Sequence, residues 1–167
     1  MTFHVRQGAM VLAAGIVLLV GGVTAPSASA SATASASGPY KWVNANSGKC
    51  LEIWSYSTAN GADANQWDCY GGSTQQWYSS NLNGWGTLVN ANSGKCLEIR
   101  GDSTANGARA NQWDCNGSAT QQWNWTPSGT LVNANSGKCL EIRGDSTANG
   151  ARANQWDCNG SATQQWS

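Results

Sequence analysis

From residue 40 onward the apolar positions fall in short runs broken by Gly, Asn, Ser and Asp, and no stretch repeats them at helical spacing. Leu88-Val89-Asn90 and Cys96-Leu97-Glu98-Ile99 predict two short strands around the turn Asn92-Ser93-Gly94-Lys95. Residues 100–107, dense in Gly, Asp, Ser and Asn, predict a loop. Asn111-Gln112-Trp113-Asp114-Cys115 predicts a third strand, Asn116-Gly117-Ser118 a turn, and Gln121-Gln122-Trp123 the opening of a fourth strand.

The same pattern occurs three times. Residues 87–123 recur letter for letter as 130–166, and residues 42–77 carry it with eight substitutions. The units run about 40–86, 87–129 and 130–167, and four strands in each predict about twelve. A propeller is disfavoured, since blades usually number about four to eight. A unit of about forty residues lies near the lower limit for a core that stands alone, so a closed threefold barrel sharing one core is expected. The chain stops one residue after Trp166, which leaves the fourth strand of the third unit short; residues 40–43 are the candidates to complete closure.

The N-terminal pattern is different. Arg6 precedes a nearly unbroken apolar run over residues 9–23, followed by the small-residue ladder Ala25-Pro26-Ser27-Ala28-Ser29-Ala30. That order predicts a secretory signal peptide with a Ser/Ala-rich leader over residues 1–36, too short for a spanning helix. Cleavage after Ala30, Ala32, Ala34 or Ala36 fits equally. The expectation is a secreted, extracellular protein with no membrane attachment once the signal is removed.

Charge and chemistry narrow the function. Without the leader, four Lys and four Arg face nine acidic residues, and the single histidine, His4, is gone. No basic stripe exists to grip phosphates, so nucleic acid is not an expected partner. The missing histidine excludes Ser-His-Asp and Cys-His catalysis. A carboxylate pair such as Glu98 with Asp114 is the remaining route to a glycosidase. One active site rarely comes as three equal copies, so a non-enzyme without metal or cofactor is expected.

The cysteines fall at Cys50/Cys69, Cys96/Cys115 and Cys139/Cys158, with the same spacing in every unit. Equal spacing argues for a disulfide within each unit, in keeping with an oxidising compartment. Each loop would contribute on the order of 3 kcal/mol. Zinc fits poorly, because there is neither a second nearby ligand pair nor a histidine.

Ser-Gly-Lys-Cys-Leu-Glu, then Gln-Trp-Asp-Cys, then Gln-Gln-Trp, three times in register, resembles the ricin B-chain lectin family, also called family 13 carbohydrate-binding modules. The Gln-x-Trp signature stands at Gln75/Trp77, Gln121/Trp123 and Gln164/Trp166, and the resemblance covers residues 40–167. It implies an all-β fold, a β-trefoil of three homologous four-stranded units. It also implies up to one shallow pocket per unit for galactose-type sugars or a plant polysaccharide such as xylan. The residues implied are the carboxylates Glu52, Glu98 and Glu141, the platforms Trp67, Trp113 and Trp156, the amides Asn65, Asn111 and Asn154, and the signature glutamines Gln75, Gln121 and Gln164. The physical reason stands beside the resemblance: a sugar's C–H face lies well on an indole, and its edge hydroxyls need acceptors and donors of fixed direction. A companion secreted glycosidase fits such a module.

The chain departs from the family's usual pattern by having Glu rather than Asp at the carboxylate, and Thr74, Thr120 and Thr163 rather than Asn before the signature. Trp77, Trp123 and Trp166 are expected in the core. Unit one has Trp54, Tyr56 and Tyr70 in place of Arg100, Asp102 and Asn116, and Asp63 in place of Arg109, which predicts a longer or different glycan there. The competing readings are a protein-binding trefoil, such as a protease inhibitor or adhesion module, and a structural trefoil that has lost sugar binding.

Overall fold

The computed structural model describes residues 37–167. The expected signal peptide and leader, 1–36, lie outside them. Twelve strands follow one another: β1 (Ser37–Tyr40), β2 (Cys50–Ile53), β3 (Ala64–Trp67), β4 (Trp77–Ser79), β5 (Trp85–Gly86), β6 (Leu88–Asn90), β7 (Cys96–Ile99), β8 (Ala110–Trp113), β9 (Trp123–Trp125), β10 (Leu131–Asn133), β11 (Cys139–Ile142) and β12 (Ala153–Trp156).

Antiparallel pairing closes a ring. β1 pairs with β4, β4 with β6, β5 with β9, and β9 with β10. Thr130 then bridges Gln165, and Trp166 bridges Asn44, returning to the start. Val43 and Ser167 exchange both backbone hydrogen bonds, at 2.8 and 3.0 Å, and Ala45 N–H donates to Gln165 at 2.9 Å. Closure therefore falls on residues 43–45, slightly beyond the stretch the sequence suggested. Three hairpins, β2–β3, β7–β8 and β11–β12, cap the ring. They join one another cyclically through the bridges Asp63↔Asn111, Arg109↔Asn154 and Arg152↔Asn65. This is the β-trefoil.

Strand alternation divides each hairpin into two faces. Leu51 and Ile53, Leu97 and Ile99, and Leu140 and Ile142 point into one shared core with Trp42, Trp77, Trp123 and Trp166. Each such aliphatic side chain contributes about 1.5–3 kcal/mol by burial. The signature tryptophans are core, as expected. Their Nε1–H groups donate to the carbonyls of Leu51, Leu97 and Leu140 at 3.1, 2.9 and 3.1 Å. The disulfides Cys50–Cys69, Cys96–Cys115 and Cys139–Cys158 close within each unit.

Two local expectations need correction. The third strand ends at Trp113, not Cys115, and the fourth begins at Trp123, not Gln121. Thr120 and Gln121 lie instead in a buried 3-10 turn, Ala119–Gln121. The loop after β7 likewise begins with a 3-10 turn, Arg100–Asp102. No helix among the described residues is long and apolar enough to cross a membrane.

Candidate functional site

The face of each hairpin turned from the core carries the sequence-derived residues. Pairing sets Glu52 opposite Asn65, Glu98 opposite Asn111 and Glu141 opposite Asn154. Trp67, Trp113 and Trp156 stand opposite the first cysteine of their units. The glutamates keep 5 %, 8 % and 9 % of their surface, whereas Trp113 and Trp156 keep 42 % and 43 %. A floor carboxylate beside an open indole is thus common to units two and three. Trp67 is only half-buried, with Trp54 edge-on at 5.9 Å.

Gln75, Gln121 and Gln164 lie behind the glutamates and are fully buried. Each donates from Nε2 to its glutamate, at 3.2, 3.1 and 3.2 Å, and to the carbonyl of Asp68, Asp114 or Asp157 at 2.9 Å. Each accepts at Oε1 from the backbone N–H of Tyr70, Asn116 or Asn159. These glutamines orient the carboxylate.

Asn111 and Asn154 donate to Glu98 and Glu141 at 3.1 Å, and their Oδ1 atoms are buried without a partner among the described residues. Unit one is arranged differently. Tyr70 Oη donates to Glu52 Oε2 at 3.1 Å and accepts from Thr74 Oγ1 at 2.7 Å. Glu52 is drawn from Asn65, whose Nδ2 and Oδ1 are both left without a partner. Burial raises the Glu52 pKa above the ordinary glutamate value, and the hydrogen bonds from Gln75 and Tyr70 oppose that rise. Burial likewise pushes the Tyr70 phenol up to about 12.

Two cavities follow from these differences. The first, of about 520 Å³, is lined by Glu52, Trp54, Ser55, Tyr56, Trp67, Asp68 and Tyr70. The three aromatic substitutions of unit one therefore converge on one pocket. Asp63 does not join them. It stands where the hairpins meet, facing Arg100 at 3.1 Å, Arg152 at 3.7 Å and Arg109 at 3.8 Å. The second cavity, of about 730 Å³, brings together Glu141, Asn154, Trp156 and Thr163 of unit three. Arg143, Asp145, Asn159 and Ser161 also line it, as does Asn106 from unit two. Asn106 carried no signal in the sequence, because its role depends on how successive units meet.

The Gln-Trp-Asp-Cys aspartates do structural work. Lys49, Lys95 and Lys138 pair with Asp68, Asp114 and Asp157. Asn149, Asn60 and Asn106 clasp the same aspartates from the preceding unit around the ring, at 2.8, 2.7 and 2.7 Å. Hydrogen bonds from these lysines and asparagines hold the three carboxyls below the usual aspartate range.

The fold is thus a closed trefoil that carries a recessed carboxylate and an indole on each unit. The chain belongs to the ricin-type β-trefoil lectin domain family, whose model matches residues 39–167. It is similar to the designed threefold-symmetric protein ThreeFoil, with 38% identity and a TM-score of 0.75, over 78% of this chain and 96% of that one. It is also similar to part of an exo-β-1,3-galactanase from Clostridium thermocellum, with 34% identity and a TM-score of 0.73, over 77% of this chain but only 29% of the enzyme. The earthworm R-type lectin C-half, solved in complex with GalNAc, shares the fold at 18% identity and a TM-score of 0.61, over 75% of this chain and 93% of that one. No curated protein matches the sequence.

Proposed function

We propose that the chain is a secreted carbohydrate-binding module with a weak pocket on each unit, which binds and does not cleave galactose-type sugars or a polysaccharide such as xylan. The observation carrying this reading is the exposed Trp113 or Trp156 beside a glutamate already oriented by Asn and Gln. The indole takes the C–H face of a ring, and the carboxylate accepts edge hydroxyls in charge-assisted bonds. In units two and three, Glu in place of Asp is accommodated because both of its oxygens are held, which limits the freedom of the extra methylene. The similarity to part of a galactanase favours galactose-type ligands and a companion glycosidase. Several weak sites on one rigid body strengthen retention by avidity, by as much as ~10²-fold or more on a polymer.

The test is retention on insoluble xylan and on galactan. Trp113→Ala/Trp156→Ala should release the protein at least about tenfold more readily than the wild type while leaving its unfolding midpoint nearly unchanged. Equal retention of the two proteins would refute the reading. Selective capture of proteases in place of polysaccharides would favour the inhibitor class.

A further inference from the structure

Units two and three are identical over 87–123 and 130–166, so a difference between their pockets originates in their neighbours. Arg100 and Arg143 hold the same position, directly after β7 and β11. Arg100 Nη2 donates to the carbonyl of Gly61 and to Asp63 Oδ1, both in unit one. What Asp63 is to Arg100, Arg109 is to Arg143. Arg109 is a cation itself, already turned to Asp63 at 3.8 Å.

Arg143 accordingly forms no ion pair among the described residues, and it lines the unit-three cavity beside Trp156. The backbone glycines register the same difference. The Arg100 guanidinium comes within 3.8 Å of where Gly61 would carry a β-carbon, whereas only Trp156 approaches the equivalent point on Gly107. In unit one the equivalent residue is Trp54, leaning on Trp67. One position therefore presents an indole in unit one, a paired guanidinium in unit two and an unpaired guanidinium in unit three.

We propose that Arg143 makes the unit-three cavity the chain's site for a carboxylate-bearing sugar, a hexuronate, and that Asp63 denies unit two this ability by holding Arg100 away from Trp113 and Glu98. The proposal rests on the reading that the pockets bind sugars. A guanidinium offers a carboxylate a planar fork of N–H donors, which a neutral hydroxymethyl group cannot exploit. The other charged groups lining the pocket are Glu141 and Asp145. Glu141 already accepts from Asn154 and Gln164, and Asp145 is exposed to water. Without Arg143 the lining carries negative charge alone, so the sign of the preference depends on this side chain.

The experiment is calorimetric titration with the methyl glycosides of galacturonic acid and of galactose. Wild-type protein should bind the uronate at one site, more weakly as salt rises. Arg143→Gln should lower the uronate-to-neutral affinity ratio by about tenfold or more, and Arg100→Gln should leave it unchanged. Asp63→Arg gives Arg100 the same neighbour that Arg143 has in Arg109 and should raise the uronate sites from one to two, with near-ultraviolet circular dichroism confirming the fold. An unchanged ratio in Arg143→Gln, or a single site in folded Asp63→Arg, would overturn the proposal while galactose binding dependent on Trp156 upholds the sugar-binding reading. If neither sugar binds the wild type, both fall.

Discussion

Tyr70 and Asn116 occupy equivalent positions, yet one exchange redirects a carboxylate. The Tyr70 hydroxyl takes up acceptor capacity on Glu52 that Glu98 and Glu141 keep for other partners. Tyr70→Phe should therefore weaken the hold on Glu52 and raise its pKa further, as side-chain carboxyl NMR titration would read. The signs are opposite for the two kinds of carboxyl. Glu52, raised in the folded state, favours folding on the acid side, and that contribution is lost as pH rises through its folded value. Its charge is needed to accept sugar hydroxyls, so binding at unit one should fall with acidification at a higher pH than an ordinary glutamate would give. Asp68, Asp114 and Asp157, lowered in the folded state, support folding above the ordinary aspartate range and lose that support as pH falls through their folded values. The glutamates and platform tryptophans were named through the resemblance to the lectin family, which gives each a place relative to the cysteines of its unit. The role of Tyr70 on Glu52 was not, since it depends on a rotamer.

At the scale of elements, the turn after the first strand of each hairpin shapes the pocket rim. Its middle residue is left-handed in all three units: Gly101 at φ 65°, Gly144 at φ 66°, but Ser55 at φ 58°. A non-glycine residue there costs roughly 1–2 kcal/mol, partly offset by the greater unfolded-state freedom of glycine. Ser55→Gly should stabilise the protein by up to about 1 kcal/mol and raise the midpoint of thermal unfolding by a few degrees. A drop in the midpoint would mean that the serine makes a compensating contact. The strands Leu88–Asn90 and Cys96–Ile99 were readable from their apolar patterns and bounding turns. The opening of the fourth strand was not, because Gln121 looks like a polar strand residue until its amide is seen buried in the preceding turn.

The whole molecule is held by contacts that pass from one unit to the next. Gln66, Gln112 and Gln155, fully buried, donate into the loop of the preceding unit around the ring, to the carbonyls of Ala148, Ala59 and Ala105 at 3.0 Å. The repeat announced the threefold architecture, and unit length announced the shared core. Which residue of one unit meets which residue of the next was hidden, because those pairs lie some fifty to eighty positions apart and follow only from closure. Asp63 shows the consequence: in the sequence it is one substitution among eight, and in the fold it meets three arginines. The most direct test of the account is to follow the tryptophan indole N–H signals by NMR while titrating a galacto-oligosaccharide. Shifts are expected at Trp67, with its neighbour Trp54, and at Trp113 and Trp156, with Trp77, Trp123 and Trp166 still. Shifts confined to the core tryptophans, or none at all, would contradict it.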